Sequence, residues 1–137
     1  MTKSERKTFV YFNMLIAVEG FIYLYYKYFK LLSTEYGDRP HELTSKLQHL
    51  HILLVPGLLV LFGYVLKNHV LGKLKLNNSL KKVSGITLLC VFGLMTISGY
   101  ILQFGFDLDK TKMIGLLHIV ISIFWVVMLM WHIRLRN

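Results

Sequence analysis

Long apolar runs separated by short polar segments make up most of the chain. A helix needs about 20 apolar residues to cross a hydrocarbon core about 30 Å thick, and four runs meet that length, at residues 8–29, about 46–71, 83–106 and 113–133. Pro40 blocks helix continuation between the first two runs, and Thr44 or Ser45 can cap the second. The pattern predicts an all-α integral membrane four-helix bundle that forms one domain over residues 1–137.

The charges support this interpretation and predict an orientation. The chain is 55% hydrophobic with a mean hydropathy of +0.53 and a net charge of +9. Ten of the sixteen Lys and Arg residues lie at the N-terminus, in or next to the loop between the second and third runs, or at the C-terminus. By the positive-inside rule both termini are cytoplasmic, and we expect a protein surrounded by lipid. The basic residues flank apolar runs and accompany no soluble recognition motif, so a nucleic-acid partner is not predicted.

Four histidines within the second and fourth runs are the main candidates for chemistry. His118 and His132 are fourteen residues apart, which brings both to one helix face within about 40° and separates them by roughly 21 Å along the axis. His51 and His69 are eighteen residues apart, or five full turns of an α-helix. Because imidazoles inside apolar spans are costly and tend to be functional, we interpret the four as one set.

The predicted topology suggests how the histidines pair. The second and fourth spans run in the same direction, which brings His51 beside His118 near the outer surface and His69 beside His132 near the cytoplasm. A b-type haem takes two axial imidazoles, and a bundle supplies them from facing helices. The four histidines are therefore predicted to ligate two non-covalent haems. The two spacings differ by about 6 Å along the axis, an offset that helix tilt and a bend at Pro56 could share.

Other residues add weaker signals. Gly85 and Gly99 could leave room for the porphyrin faces or simply allow close helix packing, and Arg134 could pair with haem propionates or act only as a topology charge. Glu19, near the middle of the first span, could accept protons from a quinol, hydrogen-bond a quinone together with Asn13, or make a structural hydrogen bond.

Two fragments, added to the paired histidines, carry a family resemblance. SGYILQ at residues 98–103 and LHIVISIFWVVMLMWHIRLR at residues 117–136 resemble segments of four-helix dihaem b-type membrane cytochromes. These include the cytochrome b561-like proteins and the cytochrome b subunits of formate dehydrogenases and hydrogenases. The resemblance implies that His51, His69, His118 and His132 are axial ligands. It also implies a location in a bacterial cytoplasmic membrane and electron exchange between a membrane quinone and a redox partner protein or larger respiratory complex that acts as an oxidoreductase.

Two other classes of function remain open on the sequence. A cofactor-free structural or assembly subunit of a larger membrane complex would be colourless and would tolerate replacement of the histidines. A small proton-linked transporter would depend on Glu19 more than on the histidines.

Overall fold

Four long helices account for most of the structure. The computed structural model describes residues 2–74, 79–104 and 107–134 and is 86% helical. The elements in chain order are α1 (Lys3–Phe29), β1 (Leu31–Thr34), β2 (Gly37–Pro40), α2 (Glu42–Val65) with a π-helical turn (Leu66–Val70), α3 (Leu71–Leu74), α4 (Ser79–Ile101) and α5 (Leu108–Arg134). The chain divides into two compact units, unit 1 (Met1–His69) and unit 2 (Val70–Asn137). The expectation of one four-helix domain stays a prediction.

The helices have the length and composition of membrane spans. Four candidate spans, Lys3–Phe29, Glu42–Val70, Lys82–Ile101 and Leu108–Arg134, have mean hydropathies of 1.4, 2.0, 1.7 and 2.5 over their most apolar windows. Polar side chains such as Asn13 and Ser98 are buried, whereas large apolar side chains such as Leu53 and Val60 are exposed. Exposed apolar surface on this scale is typical of contact with lipid or with another protein.

Unit 1 begins with a capped helix that packs on α2. The Thr2 side chain accepts a hydrogen bond from the Glu5 backbone N–H at 3.2 Å, and the Glu5 carboxylate accepts from the Thr2 N–H at 2.8 Å. This capping box satisfies donors that the first helical turn leaves unpaired. The predicted start at residue 8 is therefore five residues late. The buried residues Phe9, Asn13, Ile16 and Glu19 recur every three or four positions and form the inner face of α1.

A short β-hairpin connects α1 to α2, where the sequence analysis expects only a polar connection. Thr34 pairs with Gly37 across a two-residue turn. Gly37 has a φ of 104°, a conformation that glycine adopts without steric cost. Pro40 ends β2 in a two-stranded sheet, where its missing N–H is tolerated. The hairpin positions the start of α2 without adding a buried core.

The start and end of α2 both differ from expectation. His41, rather than Thr44 or Ser45, is the N-cap, and its Nδ1 accepts a hydrogen bond from the Leu43 N–H at 3.1 Å. The helix continues through Pro56 and ends at Val65, where a π-helical turn replaces the expected α-helix. No pattern of apolar residues reveals this change, because an i→i+5 turn depends on local backbone packing.

Unit 2 is an antiparallel pair of helices. The helix α4 ends at Ile101, five residues before the predicted boundary, and α5 begins at Leu108, five residues before its own. The earlier start of α5 follows from Asp107, which accepts a hydrogen bond from the Lys110 backbone N–H at 3.0 Å and so caps the first turn. Residues 105 and 106, within the predicted third span, lie outside the described residues.

Candidate histidine sites

In unit 2, Ser98 on α4 holds the imidazole of His118 on α5. The Ser98 Oγ lies 2.9 Å from His118 Nδ1 and donates its own hydrogen to the Met95 carbonyl oxygen at 3.0 Å. A hydroxyl has one hydrogen to donate. When that hydrogen goes to the Met95 carbonyl oxygen, the Ser98 oxygen accepts from a protonated Nδ1, and the lone pair of the neutral ring is then on Nε2. A neutral imidazole in this state can ligate a metal through Nε2.

A second Ser–His pair, Ser84 and His132, lies further along the same two helices. The Ser84 Oγ lies 2.8 Å from His132 Nδ1. Both serines are buried and both histidines are half-buried. Ser84 and Ser98 are fourteen residues apart on α4, as are His118 and His132 on α5. The antiparallel helices therefore present two equivalent Ser–His pairs at two depths.

A glycine follows each serine and lies against the same histidine ring. A Cβ at Gly99 would lie 3.1 Å from His118 Cε1, and a Cβ at Gly85 would lie 3.9 Å from His132 Cε1. At Gly93, between them, a Cβ would meet nothing within 4 Å. Gly99 therefore has a steric reason to be glycine, because the His118 ring fills the space that a side chain would need. Room for a porphyrin face and close helix packing were the two alternatives for this glycine, and in unit 2 the imidazole ring of the neighbouring helix lies in the space.

An aromatic pair separates the two levels. The rings of Phe92 and Trp125 are 5.1 Å apart at an angle of 52°, and both side chains are buried. Trp125 is seven residues from both His118 and His132. This packing fills the helix interface midway between the two levels.

Unit 1 contains one site of the same kind with a different partner. Glu19 Oε2 accepts a hydrogen bond from His51 Nδ1 over 2.6 Å, and Gly20 lies against the ring, where a Cβ would be 3.4 Å from His51 Cε1. Glu19 is only 6% exposed. Its other oxygen, Oε1, is buried and accepts no hydrogen bond from the described residues. The mid-span carboxylate that the sequence analysis associated with a quinone is thus bonded to a candidate haem ligand. Asn13, its suggested partner, donates to the Phe9 carbonyl oxygen at 2.7 Å.

The fourth histidine has a different backbone setting. His69 lies in the π-helical turn, at the end of unit 1. A π turn holds about one residue more than an α turn, so it rotates the residues within and beyond it by up to about 100° relative to a continuous α-helix. The expectation that His51 and His69 share a face assumed an unbroken α-helix. That assumption is wrong from Leu66 onwards.

The remaining candidates lie outside these histidine pairs. Arg134 is exposed in the last turn of α5, two residues beyond His132. His49 is exposed, and His41 caps α2 with its ring 5.3 Å from that of Tyr26.

Sequence reasoning missed three residues that hold the candidate rings, Ser84, Ser98 and Gly20. A signal for the serines was present, because the dipeptide Ser-Gly occurs twice at the same fourteen-residue spacing as the α5 histidines.

The candidate ligands at these sites are single imidazoles with an oxygen partner on Nδ1. Among the described residues no group of three or more His, Cys, Asp or Glu side chains could hold a metal ion. A bis-imidazole haem needs only two histidines, because the porphyrin supplies the other four ligands. Second hydrogen bonds to metal-ligating histidines commonly go to carboxylates or other oxygen acceptors, and His51 and His118 each donate one. Imidazoles held in this way are the type of axial donor that haem iron takes.

Comparison of the chain with protein-family models, with curated proteins and with solved structures finds no match.

Proposed function

We propose that the chain is a membrane cytochrome that binds two b-type haems through His51, His69, His118 and His132. It exchanges electrons between a membrane quinone and a redox partner protein or larger respiratory complex. One observation carries the proposal: three of these histidines lie in apolar helices with Nδ1 bonded to a Glu or Ser oxygen and a glycine against the ring.

The chain's residues have definite tasks in this proposal. The Ser98 and Glu19 oxygens hold the rings in the tautomer that ligates through Nε2. Gly99 and Gly20 let the rings lie close to the neighbouring helix. The apolar helices exclude water and lower the local dielectric constant, which increases the influence of nearby charges. Haem, when bound, supplies one-electron Fe(III)/Fe(II) chemistry.

The pairing of ligands comes from the sequence topology. It joins His51 with His118 and His69 with His132, in a bacterial cytoplasmic membrane with both termini inside. Arg134 lies close in sequence to His132 and is suited to a propionate of the inner haem. These assignments stay predictions.

A structural subunit is the main rival, because buried Ser–His and Glu–His hydrogen bonds can also join membrane helices. The rival does not explain why the serine and histidine pairs recur at matched fourteen-residue intervals.

The proposal is tested by purifying the full chain in detergent and recording its dithionite-reduced minus oxidised spectrum. We expect the absorption bands of a b-type cytochrome, weakened by about half in His118→Ala. The matched control is His49→Ala, which removes an exposed histidine of the same helix as His51 and should leave the spectrum unchanged. A folded, colourless wild-type protein would contradict the proposal and favour the structural subunit.

A further inference from the structure

The histidine sites differ in the charge of the residue that accepts the Nδ1 hydrogen. His51 donates to a carboxylate, whereas His118 and His132 are bonded to serine hydroxyls. The Glu19–His51 bond, at 2.6 Å, is the shortest of the three. A carboxylate acceptor makes this a charge-assisted hydrogen bond, a class that is shorter and stronger than hydrogen bonds between neutral groups.

Burial increases the effect of this difference. Glu19 is almost fully buried, and its second oxygen has no hydrogen-bond donor among the described residues. The negative charge is therefore compensated mainly through His51. In a low-dielectric surrounding, a charge at this distance interacts several times more strongly with its neighbours than it would in water.

A carboxylate behind an axial imidazole favours the oxidised iron. It draws the Nδ1 proton, which makes the imidazole a more basic ligand. It also adds a negative charge near an iron that is one unit more positive as Fe(III) than as Fe(II). Both effects stabilise Fe(III) and lower the reduction potential. Ser84, whose hydroxyl is bonded to His132 of the other proposed haem, is neutral and supplies no such charge.

Building on the proposed function, we propose that Glu19 is a positioning residue that lowers the reduction potential of the haem ligated by His51. This haem is then the lower-potential of the two. Electrons consequently move downhill from the His51 haem towards the other one.

The test is a spectroelectrochemical titration of the purified full chain at one fixed pH. Glu19→Gln keeps an oxygen acceptor for His51 Nδ1 but removes the charge. We expect it to raise the lower potential by at least a tenfold change in the reduction equilibrium constant, 59 mV for one electron, with the higher potential unchanged. The low-spin ferric EPR signal of the affected haem should also shift, which a purely structural tie between helices would not produce.

Two further variants keep the inference testable if Glu19→Gln does not fold. Glu19→Asp retains the charge further from the ring and should raise the potential less. Ser98→Asp puts a carboxylate opposite His118 and should lower the potential of the haem that His118 ligates. Unchanged potentials in haem-loaded variants would overturn the inference while leaving the proposed function intact. Absence of haem from the wild-type protein would instead contradict the proposed function itself.

Discussion

The surroundings of the candidate histidines are more regular in unit 2 than in unit 1. In unit 2 one arrangement occurs twice, with Ser-Gly on α4 facing a histidine on α5 at two levels fourteen residues apart. Unit 1 contains the arrangement once, with Glu19-Gly20 facing His51. Its other candidate ligand, His69, lies on a π-helical turn. The difference shows that regular α-helices can repeat a site at a fixed interval, whereas a break in helical geometry removes the register on which the repeat depends.

The chemistry of the two units differs as well. Serine partners fix the ring orientation without adding charge, whereas the carboxylate in unit 1 adds a buried negative charge. Similar backbone geometry can therefore place a histidine in electrostatically different surroundings.

The largest effect is expected from removing the unit 2 histidines one at a time. His118→Ala should lose one haem and His132→Ala the other, because each ring is held at its own level by its own serine. Haem per chain, measured by pyridine haemochrome, should fall from two to one in each variant. Loss of both haems from each folded variant would show that the two levels are not independent.

A smaller effect is expected from replacing glycines of α4. The two histidine levels should respond differently, because the space beside the ring differs between them. Gly99→Ala puts a methyl group 3.1 Å from the His118 ring. We expect a destabilisation of about 1–3 kcal/mol and a clear loss of haem at that level. Thermal unfolding and haem content are measured for the purified variant and compared with those of the wild type.

The matched controls for Gly99→Ala are Gly85→Ala and Gly93→Ala. At Gly85 the new contact is an ordinary 3.9 Å, and at Gly93 no atom lies within 4 Å. Both should keep full haem content. Equal loss in all three variants would mean that general helix packing, rather than the His118 ring, selects glycine.

Removing a serine hydroxyl should have a milder effect. Ser98→Ala and Ser84→Ala each remove a bond worth about 0.5–1.5 kcal/mol, so we expect a few-fold change in one reduction equilibrium constant and retained haem. If His51 and His118 share a haem, Ser98→Ala and Glu19→Gln shift the same wave of a redox titration, and Ser84→Ala shifts the other. A shift by Ser84→Ala in the wave that Glu19→Gln moves would contradict the predicted pairing.

The smallest effect is expected at the Asp107 cap of α5. Hydrogen bonds from the Lys110 side chain and backbone hold the pKa of Asp107 below its usual value. Because the folded pKa is the lower one, the stabilisation is present above the unfolded pKa and is lost as the pH falls through the folded pKa. Asp107→Asn should lower the thermal midpoint slightly at pH 7, and the difference from the wild type should shrink as the pH falls through the folded pKa of Asp107.

Asp109→Asn is the matched control, since it removes an equal charge from the same helical turn without breaking the bonds to Lys110. Near-UV circular dichroism of both variants in detergent measures the difference. Equal thermal midpoints for the two variants at pH 7 would contradict a specific role for the Asp107 cap.

The sequence predicts the helices better than their ends or their partners. Long apolar runs determine the number and approximate positions of the spans, and the α5 histidines follow from their spacing on one continuous α-helix. The π turn at Leu66 and the hairpin before α2 depend on local backbone hydrogen bonding, which apolar periodicity does not describe. Likewise, Glu19 was recognisable as a costly buried carboxylate, but its bond to His51 depends on the register between α1 and α2. One sequence pattern did indicate how α4 and α5 align in unit 2: Ser-Gly occurs twice on α4 at the same fourteen-residue spacing as the histidines of α5.

The haem content of the purified wild-type chain tests the central claim most directly. Pyridine haemochrome analysis of the full-length protein in detergent, normalised to protein by amino-acid analysis, should give two b-type haems per chain. A folded protein that contains no haem, even when expressed with excess haem, would contradict the account.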